Sequence, residues 1–328
     1  MIAQGKPATS RLTHEERIIA VTRDSSASAR SAIAASWARS VQRYGLDPYR
    51  PKPVRMLSAS ELSVARERLG DMVRLAQSSL DQLFQAVGGV GCSVLLNDRH
   101  GVVLDRRGHP ADDAVFQRSG LWTGAVWSEE AEGTNGIGTC LAEERALTIH
   151  RDQHFYARNT SFSCSAAPIY DHEGQLAAAL DVSSSRADMT ESFAGLITIA
   201  VADAARRIES LNFRHAFANA RVVVTPDLDR HNAGLLAIDR DDMVVGASHA
   251  ARQAYGLNNA KLARPIPVDA LFSRAEDPAD ELKRAERGAL RRALAATGGN
   301  VSAAARALGV SRATLHRKMK WLGIQSDH

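Results

Sequence analysis

The sequence has few cysteines, few aromatic residues and no long apolar run. Three cysteines occur in 328 residues, and an odd number of widely spaced cysteines is not the pattern of a secreted disulfide scaffold. No apolar stretch is long enough to span a bilayer, and no signal-peptide pattern opens the chain. These absences predict a protein of the cytoplasm with no membrane partner. The length accommodates two or three domains.

The sequence also lacks a loop of the form G-x-x-x-x-G-K-[ST], in which a lysine contacts the β- and γ-phosphates of a nucleotide. Gly5-Lys6 has no preceding glycine and is followed by Pro7, whereas the glycine-rich stretch 132–139 contains no lysine. That stretch also lacks the strand-glycine-helix context of a nucleotide loop. We therefore predict that the chain does not hydrolyse ATP at such a site.

The last fifty residues predict three helices joined by glycine-containing turns. A long helix over 278–296 ends at Thr297-Gly298-Gly299, Asn300 is a good N-cap for a second helix, and Ser311 for a third that runs to Leu322. A short turn at Gly309 separates the second and third helices. This arrangement is typical of a helix-turn-helix, in which the last helix enters the major groove of DNA.

The net charge is concentrated in this C-terminal segment. From Ala279 onward there are ten basic and four acidic residues, about +6, whereas the whole chain carries +4. The rest of the chain is therefore slightly acidic. A local excess of positive charge on one helical segment favours double-stranded DNA as a partner.

The preceding region mixes helices with strands. We predict helices over 28–44, 58–87 and 191–213, with Ser58 or Ser60 as the N-cap of the second, and little structure in residues 1–25. Strands are predicted at the ranges 92–96, 102–104, 146–150, 163–170 and 175–182. A hairpin turn over Asp171-His172-Glu173-Gly174 joins the last two. The fold class is therefore α+β, an antiparallel sheet with flanking helices.

A second, smaller mixed segment follows. Residues 233–257 predict two short strands around the turn 239–242 and then a helix. The predicted organisation is a helical lead-in over 1–57, a sensor domain over 58–213, a small segment over 222–265 and a helix-turn-helix domain over 278–328.

These segments resemble known families. GNVSAAARALGVSRATLHRKMKWLGI is similar to the Fis-type DNA-binding domain of bacterial regulators. EGTNGIGTCLAEERALTIHRDQHF and CSAAPIYDHEGQLAAALDVS resemble the GAF sensor region of the sigma-54-dependent activators of acetoin and glycerol metabolism. Residues 233–257 look like the core of a PAS domain. Members of the activator family usually carry an ATPase domain between sensor and DNA-binding domain, and only residues 260–279 lie between the corresponding segments here.

The resemblance implies a transcriptional regulator that binds a palindromic DNA site as a homodimer and responds to a small-molecule effector. RNA polymerase is a further expected partner, and no resident cofactor or metal is expected. The residues expected to contact DNA are Ser311, Arg312, Thr314, Arg317, Lys318 and Lys320. The residues expected to line the effector pocket are Trp122, Trp127, Asn135, Cys140, Phe155, Phe162 and Cys164. Leu315 is expected to pack inward.

Three alternatives remain at this point. The first is that the aromatic and cysteine residues of the predicted pocket are ordinary core. The second is chemistry at the cysteines: either a metal site built from Cys92, Cys140, Cys164, His150 and His154, although none of these form a metal-type C-x-x-C pair, or a thiol-dependent GAF enzyme that uses the three cysteines alone. The third is an adaptor that acts by protein contacts and keeps its C-terminal domain only for dimerisation.

Overall fold

The computed structural model describes residues 12–87, 91–225, 233–272 and 278–324. The chain divides into two compact units, residues 1–169 with 176–208, and residues 170–175 with 209–328. No helix within the described ranges is long and apolar enough to cross a membrane. The mixed helix and antiparallel sheet confirm the predicted α+β class.

The first unit begins with helices that the sequence reasoning partly missed. Residues 12–24 contain helix α1, which has a capping box between Thr13 and Glu16 and buries Ile18; residues 1–11 lie outside the described ranges. The predicted single helix over 28–44 is interrupted at Ser31, whose backbone is extended and whose side chain caps α3. The elements here are α1 (His14–Arg23), α2 (Ser25–Arg30), α3 (Ala32–Ala38) and a π-helical turn (Arg39–Arg43).

The predicted helix over 58–87 is two helices, α4 (Ala59–Leu69) and α5 (Asp71–Val87). Ser58 is the N-cap, in a capping box with Glu61. The break falls at Gly70, whose φ of +55° lies in a region that residues with a Cβ rarely adopt. The apolar period continues across the break, which is why the sequence pattern alone did not locate it.

A five-stranded sheet forms the centre of the first unit, in the order β2-β1-β5-β4-β3. Asp171 N–H donates to the carbonyl of Gln175 (2.9 Å), which closes the predicted hairpin turn between β4 and β5. The strands are β1 (Cys92–Asp98), β2 (Val103–Arg107), β3 (Leu147–His150), β4 (Ser163–Tyr170) and β5 (Leu176–Ser184).

The two faces of this sheet are covered differently. Helices α5 and α9 (Glu191–Ala216) pack on one face, where Val94, Leu180 and Ile197 belong to one apolar cluster. The opposite face, called here the outer face, is covered by three short helices and their connections. These are α6 (Asp113–Ser119), α7 (Glu129–Glu132) and α8 (Gly136–Glu143).

The glycine-rich stretch 132–139 connects helix α7 to helix α8, so no strand precedes its glycines. Asn135 caps α8, because its Oδ1 accepts from the N–H of Gly138 at 2.8 Å. A Cβ at Gly136 would lie 2.6 Å from the Cβ of Cys164 and 2.8 Å from Asp181 Oδ1. The glycine therefore lets the start of α8 approach the outer face closely.

The second unit contains a three-stranded antiparallel sheet, β6-β7-β8. The strands predicted around residues 239–242 are present, and β6 was not predicted. The elements are β6 (Arg221–Val224), β7 (Leu235–Ile238), β8 (Val244–Ala247), α10 (His249–Tyr255), α11 (Asn259–Leu262) and α12 (Val268–Phe272).

The C-terminal helices follow the sequence prediction. They are α13 (Pro278–Ala296), α14 (Val301–Ala307) and α15 (Arg312–Leu322). Asn300 caps α14, Ser311 caps α15, and Gly309 has a φ of +66° in the turn between them. Leu315, as predicted, is fully buried.

Candidate functional site

The outer face of the first sheet carries a compact aromatic cluster. Four of the seven residues predicted to line a pocket meet there, namely Trp122, Trp127, Phe162 and Cys164. Trp127 is buried and its indole N–H donates to the carbonyl of Gly120 at 2.8 Å. Leu95 of β1 contributes to the same cluster, so the aromatic rings lie directly on the sheet.

The other three predicted residues lie elsewhere in the first unit. Asn135 is buried and serves as the cap of α8. Cys140 packs in a separate cluster with Ile149, and Phe155 packs in another with Trp37. These three side chains therefore have structural contacts of their own and do not join the aromatic cluster.

Two charged residues that were not predicted complete the outer face. The guanidinium of Arg106 lies 4.3 Å from the ring centroid of Trp122, donates to Ser93 Oγ at 2.8 Å and pairs with Asp113 at 2.7 Å. Asp181 is fully buried and accepts from the hydroxyl of Ser183 at 2.7 Å. Burial raises the pKa of Asp181 from 3.8 to about 7, against the opposing effect of the Ser183 hydrogen bond.

The three cysteines are buried and unbridged. Burial raises the pKa of Cys92, Cys140 and Cys164, and the Asp181 carboxyl nearby adds to this effect. A catalytic thiol requires a lowered pKa and access to solvent. These environments favour cysteine as a small core residue rather than as a nucleophile.

The histidines of the metal alternative are held by other contacts. His154 is buried, its Nδ1 contacts the carbonyl of Arg151 at 2.9 Å, and burial lowers its pKa from 6.5 to about 4. His150 Nδ1 lies 2.9 Å from Ser163 Oγ. Among the described residues, no three His, Cys, Asp or Glu side chains are grouped so that they could hold a metal ion.

A buried ion pair joins the lead-in segment to helices α7 and α8. Arg39 donates to both carboxylate oxygens of Glu129, at 2.7 and 2.9 Å, and also pairs with Glu143 at 2.8 Å. The hydroxyls of Ser36 and Thr139 donate to the same Glu129 carboxylate. Sequence reasoning gave no sign of this network, because its members are far apart in the chain.

An open cleft of about 740 Å³ lies beside this network, lined in part by Val64, Arg68, His100 and Leu141. None of the seven predicted pocket residues lines it. The predicted aromatic residues and this cleft are therefore separate features of the first unit.

In the C-terminal domain, α15 exposes a basic face. Leu315, Met319 and Leu322 are buried against α13 and α14, whereas most of the other positions of α15 are exposed. The exposed residues of this face are Arg312, Ala313, His316, Arg317 and Lys320. Within the described part of the chain, no acidic side chain forms an ion pair with Arg312, Arg317 or Lys320.

The remaining three predicted DNA contacts occupy different positions. Ser311 accepts from the N–H of Thr314 at 3.1 Å, and the hydroxyls of these two residues lie 2.8 Å apart at the exposed N-terminus of α15. Lys318 is half-buried and paired with Glu286 of α13. The ammonium group of Lys318 is therefore engaged inside the domain, unlike that of Lys320.

Two protein-family models match the chain, one over the first sheet and its helices and one over the C-terminal helices. Residues 71–208 match the GAF domain, and residues 281–321 match the Fis family of bacterial regulatory proteins. The chain carries a GAF domain and a Fis-family helix-turn-helix domain.

Relatives of the chain include bacterial regulators. The acetoin catabolism regulatory protein of Cupriavidus necator is 38% identical over 221 residues, which are 66% of this chain and 33% of that protein. The acetoin dehydrogenase operon transcriptional activator AcoR of Bacillus subtilis is 34% identical over 178 residues, 54% of this chain and 29% of that protein. The chain thus spans about a third of the length of these relatives.

A solved structure shares the fold. The structure of the E. coli DhaR(N)-DhaL complex superposes with a TM-score of 0.52 at 18% sequence identity, and covers 77% of this chain and 86% of that chain. At this identity the likeness concerns the fold alone.

Some residues of both domains were missed by sequence reasoning. In the Fis-family domain, His316 lies on the exposed face of α15, one turn after Arg312, and the 3.6-residue period would have placed it there. In the GAF domain, side chains alternate between the two faces along β2 and β5. The sequence does not give the register of these strands, so it could not show that Arg106 and Asp181 lie on the same face.

Proposed function

We propose that this protein is a DNA-binding transcriptional regulator. It binds double-stranded DNA as a homodimer, senses a small molecule through its GAF domain and acts without an ATPase of its own. The observation that carries the proposal is the exposed basic face of α15, where Arg312, Arg317 and Lys320 have no acidic partner among the described residues. A basic helix presented in a helix-turn-helix fits the major groove.

The roles within the DNA interface follow from the exposure of each side chain. Arg317, near the middle of the exposed face, is suited to read a base edge, and Arg312 and Lys320 to contact phosphates. Ser311 and Thr314 lie at the N-terminus of α15, where backbone N–H groups favour a phosphate oxygen. Lys318 stabilises the position of α15 through Glu286 rather than contacting DNA.

The proposed effector is a small metabolite that binds the outer face of the GAF sheet. The aromatic cluster with Trp122, Trp127, Phe162 and Cys164 supplies apolar walls of the kind that small-molecule sites use. Asn135, Cys140 and Phe155 support the surrounding structure instead. Because relatives are named as acetoin regulators, acetoin is the first effector to test.

The proposed mechanism does not require nucleotide hydrolysis. No G-x-x-x-x-G-K-[ST] loop occurs in the sequence, and α12 ends at Phe272 only a few residues before α13 begins at Pro278. Regulation would then come from occupying a DNA site or contacting RNA polymerase. The effector must bind one dimer geometry better than another for it to alter DNA affinity.

Electrophoretic mobility shift of the full chain on DNA flanking its own gene tests the proposal. Arg317→Ala should weaken binding by about 1–3 kcal/mol, or roughly 5- to 150-fold, if the side chain reads a base. Arg292→Ala, at an exposed position of α13, is the matched control and should change affinity little. Equal affinity of wild type and the Arg317 variant at every salt concentration would favour the adaptor that acts by protein contacts.

A further inference from the structure

The open cleft of the first unit lies between the faces of two helices. Helix α4 lines it with Ser60, Val64 and Arg68, which recur every four residues. Helix α8 lines it with Gly138 and Leu141, which are three residues apart. Because residues three and four apart share one side of a helix, each helix presents a single face to the cleft. The cleft is therefore a groove of the kind that receives a third helix.

The floor of this groove is apolar. Val102 and Val126 form a β-bridge there, and both are buried in one cluster with Ala65 of α4. On the walls, the side chain of Val64 is 45% exposed and Leu141 is half-buried. A partner that covers these apolar side chains removes them from water, which favours binding.

Three exposed arginines also line the groove. They are Arg55, Arg68 and Arg99, and none of them pairs with a carboxylate anywhere in the ranges that the structure describes. Nε of Arg99 donates instead to Nε2 of His100 at 3.3 Å. By contrast, Arg39 of the same unit pairs with two carboxylates.

Most of the acidic residues that line the groove are already engaged. Glu61 belongs to the capping box of α4, Oδ1 of Asp98 accepts from two backbone N–H groups at 2.9 Å, and Glu129 pairs with Arg39. Glu130 is exposed and has no ion pair among the described residues. The unused hydrogen-bonding capacity of the groove therefore consists chiefly of guanidinium N–H donors, which favours a partner that brings carboxylates.

A helix of a partner protein fits these features better than DNA does. From Ser60 to Arg68, α4 rises about 12 Å, or about two turns. An amphipathic helix of that length places two or three apolar side chains on one side, with carboxylates beside them. A duplex would offer phosphates to the arginines but no apolar side chains to cover Val64.

We propose that this groove binds an acidic amphipathic helix of RNA polymerase. The apolar side chains of that helix cover Val64 and Leu141, and its carboxylates pair with Arg55, Arg68 and Arg99. RNA polymerase is the protein that lies beside a regulator bound at a promoter, and a regulator without an ATPase acts on it by direct contact. This assignment rests on the proposed function, since it names the surface through which that regulator would contact the polymerase.

The affinity of the full chain for fluorescently labelled RNA polymerase holoenzyme of the host bacterium tests the assignment. Arg68→Glu reverses a charge in the groove, and Arg118→Glu makes the same reversal outside it. Both arginines are exposed, lie in the last turn of a helix and have no ion pair within the described part of the chain. Arg68→Glu should weaken binding about tenfold and Arg118→Glu less than about twofold. Equal effects of the two reversals, or no binding by the wild type, would overturn the proposal.

A valine variant tests the apolar part of the contact. Val64→Ser should weaken polymerase binding about threefold, whereas Val245→Ser, at a valine of the second unit that is 43% exposed, should leave it unchanged. The loss caused by Val64→Ser should persist at high salt, whereas the loss caused by Arg68→Glu should shrink because salt screens charges. Equal losses for the two valine variants would contradict a helix bound over the apolar floor.

Photo-crosslinking identifies the occupant of the groove. Val64→p-benzoylphenylalanine, irradiated with the polymerase, should attach to an acidic helical segment of a polymerase subunit, which mass spectrometry identifies. The same photoreactive residue in place of Arg118 is the control and should attach little. Attachment of position 64 to DNA or to a second copy of the chain would assign the groove to that occupant and refute the proposal.

Mobility shift assays on the same preparations separate this proposal from the proposed function. Arg68→Glu should bind DNA as the wild type does, since Arg68 lies outside the helix-turn-helix domain. Polymerase binding that is insensitive to Arg68→Glu, in a protein that binds DNA, would contradict the groove and leave the regulator in place. Wild-type protein that binds no DNA would contradict the regulator, whatever the polymerase assay shows.

Discussion

Replacing Asp181 by asparagine isolates the energetic cost of a buried carboxyl in the GAF domain. The folded-state pKa of Asp181, about 7, lies above the ordinary aspartate value of 3.8 because the carboxyl is buried, so the folded protein holds this proton more tightly than the unfolded chain. The free energy of unfolding should therefore fall as the pH rises from about 4 to about 7 and then level off. At about 1.4 kcal/mol per pKa unit the full loss is on the order of 4 kcal/mol.

The Asp181→Asn variant keeps an acceptor for the Ser183 hydroxyl and has no charge to desolvate. Its stability relative to wild type should therefore rise by about 3 kcal/mol between pH 5 and pH 8, the part of the titration that lies between pH 5 and 7. Urea unfolding followed by tryptophan fluorescence at both pH values measures this difference, in which other titrating groups cancel. A difference that stays constant with pH would refute the reasoning, because the carboxyl would then be ionised or hydrated in the folded protein.

Three further predictions concern other sites. Arg39→Met leaves the buried carboxylate of Glu129 without its counter-ion, and thermal unfolding should show a loss of about 3 kcal/mol. Burial lowers the pKa of His154 to about 4, so only the unfolded chain takes up a proton between pH 6.5 and pH 5, and the free energy of unfolding of the wild type should fall by about 2 kcal/mol over that range. His154→Asn retains a donor for the Arg151 carbonyl, and its free energy of unfolding should fall less in the same urea titration. Ser311→Ala removes the N-cap of α15 and should destabilise the Fis-family domain by about 1 kcal/mol in thermal melts followed by circular dichroism, whereas Ser311→Asp keeps an accepting oxygen and should not.

The sequence predicts the C-terminal domain well because its signals are local. Asn300, Gly309 and Ser311 act through the backbone within three residues of themselves, and the buried side of α15 follows the helical period. The hairpin at 171–174 is local in the same sense. Helix breaks were harder to locate. The apolar pattern continues on both sides of Ser31 and Gly70, so periodicity alone predicts one continuous helix across each break.

The proposed effector site is predicted less completely from the sequence, because its residues come together only through the register of the strands. Trp122, Trp127, Phe162 and Cys164 were chosen by residue type and do meet on one face. Asn135, Cys140 and Phe155 have the same chemistry but lie in other clusters, and nothing in the local sequence separates the two groups. Arg106 and Asp181 lie 75 positions apart in the sequence and become neighbours only through the pairing of both with Leu95.

The ion pair between Arg39 and Glu129 has a practical consequence for anyone who wishes to graft this sensor onto another output. The region that matches the GAF domain begins at residue 71, yet the carboxylate of Glu129 within it is neutralised by Arg39, which lies upstream of that boundary. A chimera that begins at residue 71 would contain the buried carboxylate of Glu129 without the guanidinium of Arg39 that neutralises it. Fusions should therefore start ahead of Thr13, so that the grafted piece brings its own counter-charge.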